Sequence, residues 1–210
     1  MKPPSLKAAQ SKILWVGIDP GVKGAIGAIN EHMEFCWVED MPVVGEGRTG
    51  EYDLWSLAEV VVRVAGHSSP RVLLEWPQTR PDEAPESSKR FGVGLGILEG
   101  MFSFAGCEVK RVAPNKWKGR LGLKGKEQDE YAARLQAVEM AEGFIKAMPA
   151  GTLRGVRGGL KDGRAEALMI AWEAATGTLD GLRNLDFETR MARLTFGSRR
   201  RRKGGSSFLD

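Results

Sequence analysis

Ile13-Leu14-Trp15-Val16-Gly17-Ile18-Asp19-Pro20-Gly21 sets the pattern for the rest of this chain. A run rich in β-branched and aromatic residues reads as a buried strand. An acid closes it, and Pro20-Gly21 turns the chain at once. A carboxylate at the end of a buried strand is costly to hold unless something cationic meets it. The arrangement recurs in Val72-Leu73-Leu74-Glu75, which Pro77 stops. Two further acids share Lys161-Asp162-Gly163-Arg164-Ala165-Glu166-Ala167-Leu168. Asp19, Glu75, Asp162 and Glu166 are thus candidate ligands of one metal site.

Outward from the first run, Gly24 ends the turn, and residues 25–29 and 33–38 read as a second and third strand of a meander. Leu54, Leu57, Ala58, Val61 and Val62 recur at helical spacing, predicting an amphipathic helix over 52–65. Residues 71–75 form a central strand, 77–88 a polar loop, and 108–112 a fifth strand. Between the last two lies an apolar helix over residues 91–105, opening on Phe91 and closing on Ala105. It carries Gly92, Gly94, Gly96 and Gly100, whose density at a cost to helix stability implies close approach of another backbone. Further helices are expected over 127–148 and 164–175, with a glycine-rich loop at 151–159 between them. This order describes an α/β fold, a mixed five-stranded sheet flanked by helices; it fits a ribonuclease-H-like domain, though order alone does not select one. The nuclease-like domain spans 13–176, between a loose leader at 1–12 and a C-terminal extension at 177–210 whose basic tail reads as disordered.

At 42% hydrophobic and 28% charged residues, the composition is that of an ordinary globular protein. No apolar stretch reaches bilayer length, since Glu99 breaks the best candidate. The first residues carry no secretory h-region. Two cysteines, Cys36 and Cys107, suggest neither a disulfide framework nor a zinc ribbon, which leaves a reducing cytoplasm as the expected setting, bacterial or phage-infected and close to the nucleoid, an organelle remaining open. The net charge of +4 is uneven. Arg199-Arg200-Arg201-Arg202-Lys203 supplies more than all of it, and residues 110–126 hold Lys116, Lys118, Arg120 and Lys124 without one acid. Such polarity suits a polyanion held on one side. For either stretch alone, a solvated charged face is the commoner explanation.

Phosphodiester hydrolysis needs a water activated near neutral pH and charge stabilised on the attacking and leaving oxygens; two magnesium ions about 4 Å apart supply both. Carboxylates without histidine or cysteine suit magnesium, or manganese in its place. The only histidines, His32 and His67, stand away from the acids, which disfavours zinc. Asp162 precedes Glu166 by about one helical turn, so both face one side if the helix includes Asp162; a capping role for Asp162 is the alternative. Asp19 before Pro20-Gly21 is equally readable as a turn former.

Gly17-Ile18-Asp19-Pro20-Gly21, Leu74-Glu75 and Gly163-Arg164-Ala165-Glu166-Ala167-Leu168 together resemble the RuvC-type Holliday junction resolvases. The chain looks closest to the chloroplast-type resolvases and their bacterial and phage relatives. Met41-Pro42, Phe91-Gly92-Val93-Gly94, and Pro114 to Trp117-Lys118 with Leu121-Gly122-Leu123 support the likeness, which covers residues 13–175. It implies a homodimer making magnesium-dependent paired nicks in four-way DNA junctions, with Asp19, Glu75 and Glu166 as ligands and the 91–105 helix as the dimer interface. In RuvC proteins the partner acid stands three positions before the last one; here that position is Gly163, and Asp162 is one residue earlier. Lys116, Trp117, Lys118, Arg120, Lys124, Lys161 and Arg164 become candidate DNA contacts, Trp117 having a core position as its alternative. Lys118 or Lys161 is also a candidate for neutralising transition-state charge.

Three other readings stay open. One is a nuclease for other branched DNA or RNA–DNA hybrids. Another is a noncatalytic DNA-binding module, against which the acids argue. The third is a kinase of the actin and sugar-kinase type, which would need a second similar domain that the length does not accommodate.

Overall fold

A computed structural model describes residues 13–45, 50–77, 84–123 and 129–176. The leader, Lys124, the extension and the Arg199-to-Lys203 run lie outside the described residues.

Alternation of side chains along the central strands builds the core. In β1 (Leu14–Asp19), Leu14, Val16 and Ile18 point to one face, and Trp15, Gly17 and Asp19 to the other. β2 (Ala25–Asn30) and β3 (Phe35–Asp40) complete an antiparallel meander. A two-stranded ribbon follows, β4 (Val43–Val44) with β5 (Glu51–Tyr52). Helix α1 (Leu54–Ala65), capped by the Asp53 carboxylate, then leads to β6 (Pro70–Glu75), which lies parallel to β1. Helix α2 (Pro85–Phe104) leads to β7 (Glu108–Val112), parallel to β6. The sheet order is β3-β2-β1-β6-β7. This is the expected mixed five-stranded sheet, with β1 at its centre.

Leu57, Val60, Val61 and Val64 of α1 and Leu95, Leu98 and Phe102 of α2 cover the Leu14, Val16 and Ile18 face. The opposite face receives α3 (Pro114–Leu121), α4 (Glu130–Phe144) and α5 (Asp162–Thr176). Every residue of α5 from Ala165 onward is buried, as expected of a helix enclosed on all sides. It lies directly on β1. A Cβ on Gly17 would stand 2.1 Å from the Ala167 carbonyl oxygen and 2.3 Å from the Ala171 nitrogen. Only glycine permits that approach.

Several boundaries differ from the sequence reading, each for a local reason. The third strand starts at Phe35 because Asn30 Oδ1 accepts from the backbone of His32 and Glu34, closing a turn in which Met33 takes a positive φ of 62°. α2 begins in the stretch read as loop, through solvent-facing residues that carry no apolar periodicity. Of its glycines, Gly94 meets the Tyr52 ring, whereas a Cβ on Gly92, Gly96 or Gly100 would meet nothing within 4 Å. The close approach implied by their density is therefore absent within this chain for those three. No described helix is long and apolar enough to cross a membrane.

Candidate metal centre and its basic helix

Side-chain parity brings the acids together. Asp19 shares its face with Trp15 and Gly17, and Glu75 shares its face with Leu73, so both carboxylates point toward the side that α5 covers. Ile18 pairs with Leu74 across the parallel strands, which sets Asp19 and Glu75 at the same sheet end. Glu166 lies in the second turn of α5, directly above. One oxygen from each of Asp19, Glu75 and Glu166 falls within 4.8 Å of the others. This is the one such cluster among the described residues. Glu75 is 5% exposed and Glu166 7%.

Helix α3, which the sequence reading did not foresee as a helix, supplies the compensating charge. Pro114 stands at its first position, two residues after β7 ends. Lys118 Nζ lies 2.7 Å from Glu166 Oε2 and 3.9 Å from Glu75 Oε1. Burial pushes the Lys118 pKa down, but the charges of Glu166 and Glu75, the hydrogen bond to Glu166 and the charge of Asp19 outweigh it and hold the pKa above the ordinary lysine value. Trp117 Nε1 donates to Glu75 Oε1 at 2.8 Å. Arg120 Nη1 pairs with the fully buried Glu173 at 3.1 Å, tying α3 to α5 farther along.

With all four groups ionised, three carboxylates and one ammonium leave two negative charges uncompensated. The donors are all hard oxygens, the set that magnesium or manganese takes and that zinc or copper does not select. The site therefore fits a divalent ion of that class, with Asp19, Glu75 and Glu166 as the residues to hold it.

Asp162 is placed differently. It is the first residue of α5, since the Ala165 N–H bonds the Lys161 carbonyl at 3.1 Å. Its carboxylate lies outside the three-acid group and pairs with Arg134 Nε of α4 at 3.1 Å. Nor does Gly163 leave room for an acid. A Cβ there would stand 2.4 Å from the Lys23 carbonyl oxygen, where α5 abuts the β1–β2 turn.

The candidate DNA contacts also separate. Lys116 is exposed and Lys118 faces the acids. Trp117 is a correction: its side chain is wholly buried in the core, so it walls the site instead of offering a face to a nucleotide. Lys161 and Arg164 both bind Asp40 at the end of β3, Lys161 Nζ at 3.0 Å and Arg164 Nε at 2.7 Å. Partial burial works against the charged form of Asp40, but the hydrogen bonds and charges of Arg164 and Lys161 prevail and lower its pKa.

A stability prediction follows. A carboxyl whose folded pKa is depressed contributes above its unfolded value of about 3.9, and that contribution is lost as pH falls through the folded value. Asp40→Asn should therefore melt below wild type near neutral pH, with the gap closing in acid. Thermal melts from about pH 7 to about pH 2 test this; a gap that persists at the lowest pH contradicts it. Asp40 and Arg134 carried no sequence signal, because each meets its partner only through the tertiary fold.

No family model and no curated protein matches this chain. Among solved structures it is similar to Thermus thermophilus RuvC in complex with Holliday junction substrate, at 22% identity, covering 86% of this chain and 96% of that one with a TM-score of 0.53. A second Thermus thermophilus RuvC structure aligns at 21% identity over 86% and 97% of the two chains, with a TM-score of 0.40. The fold is thus of the ribonuclease-H-like class. Within that class its arrangement is similar to that of the Thermus thermophilus RuvC chain. The likeness does not single out the chloroplast-type branch.

Proposed function

We propose that this protein is a divalent-metal-dependent endonuclease that resolves four-way DNA junctions by paired, symmetric nicks. The observation that carries the reading is the meeting of Asp19, Glu75 and Glu166 at one end of two parallel strands, beneath a half-buried lysine on a basic helix. Asp19, Glu75 and Glu166 would hold a divalent ion, which would supply a water ionised near neutral pH and charge to offset that on the reacting oxygens. Lys118, next to Glu166, presents its ammonium to a non-bridging phosphate oxygen as charge builds there. Hydrolysis adds water across one phosphodiester, breaking a P–O bond to leave a phosphate monoester and a hydroxyl. Lys116, Arg120, Lys161 and Arg164 grip backbone phosphates, which positions DNA without reading its sequence. Lys124 and the Arg199-to-Lys203 run would add further salt-sensitive affinity. Asp162, engaged by Arg134, is left out of the ligand set.

Paired nicking requires two active sites, and the outer face of α2 suits self-association. Gly92, Gly96 and Gly100 recur every fourth residue with open space above them, and Phe104 continues the row at 96% exposure. Placing two such helices together would bury that ring. Phe104→Asp should shift sedimentation from dimer toward monomer and convert paired nicks into single ones. A wild-type monomer at micromolar concentration contradicts this interface.

The deciding experiment offers magnesium and a synthetic four-way junction beside a linear duplex and an RNA–DNA hybrid. Symmetric nicks in the junction alone are expected. Cutting of the hybrid or the duplex would keep the metal site and replace the substrate, and no cutting of any of them would favour a binding module.

A further inference from the structure

The indole of Trp117 has a role that packing alone does not require. It is wholly buried, and a buried indole N–H must find an acceptor or lose a hydrogen bond. Phenylalanine or leucine would fill a core without that demand. The acceptor here is Oε1 of Glu75, one of the three clustered carboxylates. The backbone fixes the approach. Glu75 pairs with Val112 across β6 and β7, the Trp76 N–H bonds the Val112 carbonyl at 2.7 Å, and α3 starts at Pro114. The helix bearing Trp117 is thereby launched beside the strand end bearing Glu75.

Lys118 does not do the same work. Its ammonium is 2.7 Å from Glu166 but 3.9 Å from Glu75, so it orients the helix carboxylate and only biases the strand carboxylate. We propose that Trp117 is the positioning residue for Glu75, holding the carboxylate in the orientation from which it ligates a divalent ion. This rests on the metal-site reading above. Donors that orient a metal-ligating side chain typically change metal affinity by roughly 10- to 100-fold when removed.

The test is direct titration of full-length protein with Mn2+, followed by calorimetry or by the electron-spin signal of the free ion. Trp117→Phe keeps an aromatic core residue and removes the N–H. Benzothienylalanine at position 117 keeps the bicyclic shape and also lacks the donor, which covers a failure of the phenylalanine variant to fold. Both should bind Mn2+ at least about tenfold more weakly than wild type, while the isostere still melts cooperatively without metal, a little below wild type for the lost hydrogen bond. A purely structural role would lower the melting temperature and leave affinity alone. Binding within twofold of wild type by the folded isostere overturns the proposal. If wild type itself takes up no Mn2+, the metal-site reading falls first and this inference falls with it; the wild-type titration separates the two failures.

Discussion

On the proposed function, Asp19→Asn should yield a protein that folds and binds four-way junctions but nicks them about a thousandfold more slowly or worse. The substitution is nearly isosteric, so the β1–β2 pairing and the Pro20-Gly21 turn persist. What changes is charge. Asp19, Glu75 and Glu166 crowd their oxygens within 4.8 Å, an arrangement that repels itself unless cations are present. Lys118 answers one of the three charges, and removing another weakens the attraction for a divalent ion. A thousandfold loss corresponds to about 4 kcal/mol of barrier, within reach of one anionic ligand in a water-poor site. Without metal the variant should melt no lower than wild type, because one repelling charge has gone. Single-turnover cleavage beside a junction-binding isotherm tests both halves. Cleavage within tenfold of wild type removes Asp19 from the chemistry, and lost binding would point to a fold defect.

Gly17→Ala should be one of the most damaging single methyl groups in the molecule. Its Cβ would enter the backbone of α5 at 2.1 Å from the Ala167 oxygen and 2.3 Å from the Ala171 nitrogen. Neither atom belongs to a side chain that can swing away. Either α5 lifts from the sheet or β1 bends, and both disturb a face carrying Trp15, Leu168 and Trp172. Overpacking ordinarily costs about 1–3 kcal/mol; collision with a helix backbone should exceed that, at about 4 kcal/mol. At roughly 2–4 °C per kcal/mol for a chain of this size, melting should fall by about 10 °C. Activity should drop further than stability, since the displaced helix carries Glu166. A melting loss under about 3 °C would show that α5 shifts at little cost.

The sheet was legible because its strands announce themselves. The apolar runs ending in Asp19 and Glu75 each place an acid where a buried strand should not have one, and parity then forces both toward the same helix. Glu166 was legible for a related reason, as an acid within an otherwise apolar helix. α3 was not. Its eight residues include Pro114 and Gly119 and bury only Trp117 and Leu121, too short a pattern for periodicity to register. The partner of Asp162 was equally invisible, because one turn of spacing to Glu166 says nothing about an arginine arriving from α4. Trp117 was read by its neighbours, lysines that suggested DNA, whereas its indole faces inward and its use depends on the end of β6.

The last described element in the chain is also the one that completes the cleft. Strands β1 and β6, with Asp19 and Glu75, leave the ribosome well before α5, and until that helix arrives only α3 and α4 are there to cover the Trp15 and Gly17 side of the sheet. A nascent or prematurely terminated chain therefore holds two acids without the third and cannot assemble a complete centre. On the proposed function, the cutting centre comes together only once translation has passed residue 176, so the chain is harmless to DNA for most of its synthesis.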